Sequence, residues 1–292
     1  MRTPFPIGSI TKVFTTLVLA DAASNGVVSL DTPLAAILPE TPPVGPYPIT
    51  LRHLASHTSG LPRLPKGLRH QALRNRADPY RNFSTADLLA ALEAARPHPA
   101  PGQRVRYSNF GMALLGEALS RQSGIPYHRL VLEWVADPLG LRDTSVAVPA
   151  DHDRRRAQSH SRRGHPVPDW DLGGMPGAGA LWSTVNDLVV FLRAHLNPSA
   201  TSMPEALAMV QQPEATANRW LQVGLGWHRS PLAKTGNHIW WHNGATAGSH
   251  SYLAFMPAAA AGVVVLSNTG RPVEALGVRL LQALASSPAT CR

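Results

Sequence analysis

The residues best suited to chemistry stand near the start of the chain, at Ser9 and Lys12. Ile10, Val13 and Phe14 have the apolar spacing of a helix that begins beside Ser9, so both polar side chains lie on one helix face. A serine hydroxyl is a weak nucleophile until a base takes its proton. A buried lysine amine with a lowered pKa can be that base. A helix-capping serine followed by a solvated lysine has the same pattern, because Ser-x-x-Lys is frequent.

Two later segments carry polar groups that suit acyl transfer. Tyr107 and Asn109 follow a Pro-Gly turn and precede a predicted helix. A phenol beside a lysine can relay a proton, and an asparagine amide can hold a lysine and a substrate carbonyl. Segment 242–248 closes a Trp-rich predicted strand, where a main-chain N–H can serve an oxyanion. Taken alone, a surface tyrosine with an asparagine cap and a glycine-rich hairpin turn remain the simpler interpretations.

Composition predicts a globular protein and excludes several classes. The 292 residues are 44% hydrophobic and 15% charged, and no apolar run has the roughly 18 residues of a membrane span. No signal peptide is expected in the residues before Ser9, and the single Cys291 excludes an intrachain disulfide, so the compartment stays unassigned. Much of the net charge of +9 lies in the arginines of segment 154–163. No aromatic residues interleave with them, which favours a solvated loop over a nucleic-acid partner.

Capping and periodicity predict helices first and strands later. Helices are expected at 9–25, 50–57, 84–96, 110–122, 127–136, 183–195 and 273–285, with Asn109 as one cap and a further start at Asp31. Strands are expected at 224–227, 239–242, 251–255 and 263–266. The segments 65–82 and 154–171 are expected to be loops that shape the pocket. The whole is an α+β arrangement with a C-terminal antiparallel meander.

In this order, the three polar segments resemble the serine β-lactamase and penicillin-binding protein superfamily, in particular its class C β-lactamase and esterase branch. Ser9-x-x-Lys12 is similar to the nucleophile motif, Tyr107-x-Asn109 to the second motif and segment 242–248 to the third. This chain also has four segments that resemble other landmark segments of the family: 54–62, 224–227, 251–257 and 263–268. His57, in the first of these, is interpreted as structural.

The resemblance implies an antiparallel sheet flanked by helices, with a mostly helical half inserted into it. It implies a single domain over 1–292, with an α/β half at about 1–30 and 215–292 and a helical half at about 31–214. Members of the family carry a helix and two or more strands before the nucleophile, whereas eight residues precede Ser9 here. We therefore expect N-terminal strands to be missing, one sheet edge to be unpaired, and Trp240, Trp241 or Val264 to be partly exposed.

The resemblance also implies acyl transfer through an acyl-enzyme, without a metal or an organic cofactor. Ser9 attacks the carbonyl of a small-molecule or peptide substrate, and Lys12 and Tyr107 accept and return the proton. The N–H groups of Ser9 and Ala245 form the oxyanion hole, and Asn109 orients Lys12 and the acyl side chain. The substrate-binding residues are thus Asn109, His242, Asn243, Gly244 and Ala245.

Departures from the motifs favour an esterase or D-amino-acid-peptidase-like hydrolase. His242 stands where β-lactamases carry a lysine, and a neutral imidazole holds a β-lactam carboxylate less well. The Lys-Thr-Gly of segment 234–236 precedes the Trp240 strand and is interpreted as a turn. Glu93 stands where class C enzymes carry their amide-binding glutamine. The aromatic residue that lies over their pocket is replaced near Gly179. A β-lactamase or DD-carboxypeptidase is the alternative, and a truncated, inactive binding scaffold is a second one.

Overall fold

The computed structural model describes residues 2–43, 47–147, 153–233 and 236–286. Its helices are α1 (Thr11–Ser24), α2 (Leu51–Ala55), α3 (Leu68–Arg74), α4 (Thr85–Glu93), α5 (Asn109–Ser123), α6 (Tyr127–Val131), α7 (Asp137–Leu139), α8 (Val185–Leu196), α9 (Pro204–Val210) and α10 (Glu274–Ser286). Its strands are β1 (Phe5–Pro6), β2 (Trp182–Ser183), β3 (Ala215–Asn218), β4 (Leu221–Val223), β5 (His228–Pro231), β6 (His238–Ala245), β7 (His250–Met256) and β8 (Ala261–Ser267).

Helix α1 is the centre of the fold. A 3-10 turn at Gly8–Ile10 leads into it, and every side chain from Thr11 to Ala20 is buried. A helix that is buried all round must be covered on every side. Here α5, α9 and the 3-10 turn Pro176–Ala178 pack against it. The prediction of a helix beginning at Ser9 and ending near Asn25 is confirmed.

The six strands from β3 to β8 form one antiparallel meander, in which each strand pairs with the next along the chain. Trp240 of β6 faces Phe255 of β7, and Leu253 of β7 faces Val264 of β8. Helices α8 and α10 both pack against β7 and β8. The predicted α+β class, the meander and the C-terminal helix are confirmed.

One predicted strand is wrong. Segment 224–227 is the turn between β4 and β5, because Gly226 has a positive φ of 74° and donates its N–H to Ala55 O at 2.9 Å. Its role is to pack on α1, where a Cβ at Gly226 would lie 2.5 Å from Thr16 Oγ1. The short strands β3, β4 and β5 were not predicted from the sequence.

The helices also differ from the sequence prediction in four respects. Pro33 forms a bridge with Thr50, so the start predicted at Asp31 is only a 3-10 turn at Leu34–Ala36. Segment 65–82 contains α3, and Ser108 rather than Asn109 caps α5, because the Ser108 hydroxyl accepts from Gly111 N. The helix predicted at 127–136 continues beyond α6 as a π-helix at Leu132–Ala136.

Within the described ranges, β8 ends the sheet and pairs only with β7. Trp240 is 6% exposed, whereas Trp241 and Val264 are half-buried. The expectation of missing N-terminal strands and the division into two halves stay predictions. None of the helices in these ranges is long and apolar enough to cross a membrane.

Candidate active site

Ser9 and Lys12 are in direct contact. Lys12 Nζ lies 3.0 Å from Ser9 Oγ and donates to Ala178 O at 2.6 Å. The turn that carries Ala178 is fixed to α1, because Thr15 Oγ1 donates to Gly177 O at 2.9 Å. Lys12 has no exposed surface. Its pKa is lowered well below the usual value, mainly because the side chain is buried and also because the positive charge of Arg63 is near. Burial of this kind favours the neutral form of the amine, which can accept the serine proton.

The pKa of Tyr107 is shifted in the direction opposite to that of Lys12. Burial raises its pKa to about 12, although a hydrogen bond with Ser9 and the nearby charge of Arg63 act against the rise. Lys12 Nζ lies 5.1 Å from the centre of the Tyr107 ring, and the Arg63 guanidinium carbon lies 5.0 Å from it. The phenol therefore keeps its proton near neutral pH and is suited to be a donor, while Lys12 is suited to be the base.

His57 and Ser108 hold Tyr107 in place. His57 has a positive φ of 59°, and its Nδ1 accepts from Ser108 N at 3.3 Å. The His57 and Tyr107 ring centres are 4.5 Å apart. Ser108 Oγ donates to Pro62 O at 2.7 Å and accepts from Gly111 N at 2.8 Å. His57 thus supports the tyrosine from behind, in agreement with its structural interpretation.

The end of β6 packs directly on the turn that carries Ser9. Ser251 Oγ donates to Ile7 O at 2.8 Å, and a Cβ at Gly244 would overlap the same carbonyl oxygen. A Cβ at Gly8 would lie 2.9 Å from Ala245 N. Only glycines allow these two backbones to approach so closely. The predicted oxyanion donors, the N–H groups of Ser9 and Ala245, belong to these two adjoining segments.

A small cavity lies over Ser9. It leaves about 30 Å³ for the centres of water molecules, which is room for about two waters. Its walls include Ser9, Asn109, Ala245, Tyr80 and Trp170. Asn109 Oδ1 is buried and has no hydrogen-bond partner in the part of the chain that the structure describes. Asn109 thus lies at the site, but the hydrogen bonds described for Lys12 go to Ser9 and Ala178 instead.

His242 lies beneath the site and not at its surface. It is fully buried, its Nδ1 is 2.7 Å from Asn243 O, and its ring stacks on His228 with centres 5.0 Å apart. Its ring centre is 6.2 Å from that of Tyr107. The pKa of His242 is lowered well below its usual value, mainly because the ring is buried and also because of electrostatic interactions with His228 and Lys12. The imidazole is therefore neutral near pH 7.

The side chain of Asn243 lies on the other face of β6, because neighbouring residues in a strand point to opposite faces. It donates to Glu274 Oε1 of α10 at 2.6 Å. Glu93 lines a different pocket together with Glu40 and Arg96, whereas Gly179 does line the Ser9 cavity. Lys234 and Thr235 of the Lys-Thr-Gly segment lie outside the described residues.

Sequence reasoning missed four residues of the site: His228, Arg63, Tyr80 and Trp170. Burial, together with the charge of Lys12, lowers the pKa of His228 to about 4. His228 directly follows the Gly-Leu-Gly-Trp landmark, which is the one local signal that could have found it. Tyr80 and Trp170 lie in the two loops expected to shape the pocket, but no motif distinguishes them there.

A serine beside a buried lysine with a lowered pKa, on an α+β fold with a closing antiparallel meander, is an arrangement that suits serine acyl transfer. The sequence model of the Beta-lactamase family matches residues 1–286, and the chain belongs to this family. The predicted membership of the serine β-lactamase and penicillin-binding protein superfamily is confirmed.

Similar proteins agree with this assignment. The D-alanyl-D-alanine-carboxypeptidase/endopeptidase AmpH of Escherichia coli (strain K12) is 34% identical over 198 residues, which cover 65% of this chain and 48% of that protein. The match therefore spans about half the length of that relative. A Beta-lactamase of Pseudomonas fluorescens is 26% identical over 302 residues, covering 93% of this chain and 81% of that protein.

Solved structures share the fold. A class C beta lactamase from Rhodobacter sphaeroides has a TM-score of 0.82 at 26% identity, covering 97% of this chain and 85% of that one. A Beta-Lactamase/D-Alanine Carboxypeptidase from Pseudomonas syringae has a TM-score of 0.84 at 23% identity, covering 98% and 86%. The second likeness concerns the fold alone.

Proposed function

We propose that the protein is a serine hydrolase that cleaves an ester or a small amide through an acyl-enzyme on Ser9. The observation that carries the proposal is the 3.0 Å contact between Ser9 Oγ and Lys12 Nζ, at a place where burial lowers the lysine pKa. Burying a lysine is costly to any fold, because the side chain loses the hydration of its ammonium and has to give up its proton. An inactive scaffold has no use for that cost, which argues against the scaffold hypothesis.

In the proposed acylation, Ser9 Oγ attacks the substrate carbonyl carbon and its proton passes to the neutral Lys12 amine. The N–H groups of Ser9 and Ala245 stabilise the oxyanion, each contributing about 3–4 kcal/mol. Ala178 O, which already accepts from Lys12, stabilises the ammonium that forms. Tyr107 gives its proton to the leaving group and takes one back from the Lys12 ammonium.

Deacylation reverses these proton transfers. Water attacks the acyl carbonyl, and its proton reaches the lysine and tyrosine pair. The pair then protonates Ser9 Oγ as the carboxylic acid leaves. One serine, one base and one acid therefore account for both half-reactions.

The state of His242 supports an ester or a small amide over a β-lactam. A neutral, fully buried imidazole offers no fixed charge to a substrate carboxylate, and a charge-assisted hydrogen bond is about twice as strong as a neutral one. The names of the relatives favour the second candidate, a β-lactamase or DD-carboxypeptidase, which would use the same acyl-enzyme chemistry.

A substrate panel on the purified chain tests the proposal. It consists of p-nitrophenyl acetate, D-alanine p-nitroanilide, a D-Ala-D-Ala peptide and a chromogenic cephalosporin, each also measured with Ser9→Ala. We expect kcat/KM for the ester to exceed that for the cephalosporin by at least ~10-fold, as for loss of one charged anchor. Equal Ser9-dependent turnover of the cephalosporin would favour the second candidate. Turnover that survives Ser9→Ala on every substrate would refute the mechanism.

A further inference from the structure

Two aromatic side chains from separate loops meet over the nucleophile. Tyr80 lies between α3 and α4, and Trp170 lies in the loop before the 3-10 turn Pro176–Ala178. Their ring centres are 5.3 Å apart at an angle of 57°, and both line the cavity that holds Ser9. The pair therefore forms one side of the cavity next to Ser9, where a group bound to the serine would have room. We call it the Tyr80–Trp170 wall.

The loops behind this wall are fastened to each other. Both carboxylate oxygens of Asp78, a buried residue, accept from Asp171 N at 3.2 Å. Gly174 N donates to Phe83 O at 2.5 Å, and a Cβ at Gly174 would overlap the Ser84 backbone. Backbone contacts of this kind fix the relative position of the two loops. The wall is thus part of the framework and not a pair of independent surface side chains.

The remaining walls of the cavity combine apolar side chains and backbone with two polar residues, Asn109 and Thr246. Met175 is fully buried and Leu172 is 9% exposed, and Gly179 faces them without a side chain. The space of about 30 Å³ for water-molecule centres holds about two waters. This is enough for the methyl or ethyl group of a short acyl chain. A longer chain exceeds this space, and Tyr80 and Trp170, whose loops are held together, limit its extension on their side of the cavity.

We propose that the Tyr80–Trp170 wall restricts the enzyme to esters or small amides of short acyl groups, of two or three carbons. The proposal rests on the proposed hydrolase function, because it names the substrate class of the same site. The bulk of the substrate then lies on the leaving-group side, next to Tyr107 and the exposed Arg63. An acyl group that is itself a peptide does not fit this cavity.

Chain-length profiles test the wall. We would measure kcat/KM for p-nitrophenyl acetate, butyrate and octanoate, so that the leaving group stays constant. One excess methylene in an apolar pocket changes kcat/KM by about 10-fold or more. The wild type should therefore fall at least ~10-fold from acetate to butyrate, and further to octanoate. A wild type that accepts octanoate as well as acetate overturns the proposal.

Two variants change the cavity in opposite directions. Trp170→Ala should raise the butyrate-to-acetate ratio at least ~10-fold. Gly179→Ala should lower it, because the new Cβ meets no atom closer than 3.7 Å and only fills space. Trp220→Ala is the matched control, since Trp220 is 60% exposed and its described ring contact is Arg219. If Trp170→Ala does not fold, Gly179→Ala alone tests the proposal. An unchanged butyrate-to-acetate ratio in Gly179→Ala contradicts the proposed restriction on acyl length.

The same measurements distinguish a failure of the proposed wall from a failure of the proposed hydrolase function. Turnover of acetate that depends on Ser9, combined with a flat chain-length profile, overturns the wall and leaves the hydrolase. Absence of Ser9-dependent turnover with every ester overturns both, because the wall has meaning only around a working nucleophile.

Discussion

Lys12 should leave a signature in the pH dependence of stability. The amine is buried and its pKa is well below the usual value, whereas in the unfolded chain it titrates near the ordinary value of about 10.4. Between those two pKa values the unfolded chain binds one more proton than the folded protein. The free energy of unfolding therefore rises with pH there, by about 1.36 kcal/mol per pH unit.

The window from pH 7.5 to 9.5 isolates this effect. Buried histidines with lowered pKa values contribute a rise of the same sign only below about pH 6.5; they are His57, His195, His228 and His242. Buried tyrosines with raised pKa values contribute a loss of stability only above about pH 10; they are Tyr107, Tyr127 and Tyr252.

Lys12→Met removes the amine and keeps most of the length of the unbranched side chain. It leaves Ala178 O without this donor, a cost of about 1–3 kcal/mol that does not depend on pH. Urea unfolding at constant ionic strength gives the free energy of unfolding at each pH. Over two pH units the wild type should gain stability relative to Lys12→Met, by at most about 2.7 kcal/mol.

Ser9→Ala is the control, because it keeps Lys12 buried and should keep the wild-type slope. Equal slopes in the wild type and Lys12→Met would mean that the folded protein carries a charged ammonium at this position. Lys12 would then have no lone pair to accept the Ser9 proton, and its role as the base would fail.

Two further variants test the acid and the oxyanion hole. Tyr107→Phe should reduce kcat/KM for D-alanine p-nitroanilide by ~10²–10⁴-fold, because a poor leaving group needs a proton, and should affect p-nitrophenyl acetate far less; equal losses on both substrates would contradict the acid role. Gly244→Ala should reduce kcat by ~10²–10³-fold on the ester, because the new Cβ overlaps Ile7 O and displaces the Ala245 donor. A full kcat in folded Gly244→Ala, checked by circular dichroism, would show that the donor is not needed.

The parts of the fold that the sequence predicted are those with a strong local pattern. The Ser9 helix, the Thr184-capped α8 and the strands β6 to β8 combine long apolar runs with clear turn signals. The Ser9 and Lys12 contact follows from a spacing of three residues on a helix. The strands β3 to β5 were missed because they have only three or four residues each, and most of these are half-buried or exposed.

The site was predicted in its motifs but not in its surroundings. The alternation along β6 places His242 under Tyr107 and the Asn243 side chain against α10, and period-two reasoning applied to this strand could have separated the two residues. His228, Tyr80 and Trp170 come to the site from elements distant in sequence. Their positions depend on long-range packing, such as the Asp78 and Asp171 contact between two loops, which has no local pattern to read.

The central claim is that Ser9 is the activated nucleophile, and covalent labelling tests it most directly. The protein would be treated with a fluorophosphonate, and the modified peptide would be identified by mass spectrometry. We predict label on Ser9 alone, no label in Ser9→Ala, and labelling at least ~100-fold slower in Lys12→Met, as for loss of a general base. Label on Ser59 or Ser183, or labelling of Lys12→Met at the wild-type rate, would contradict the account.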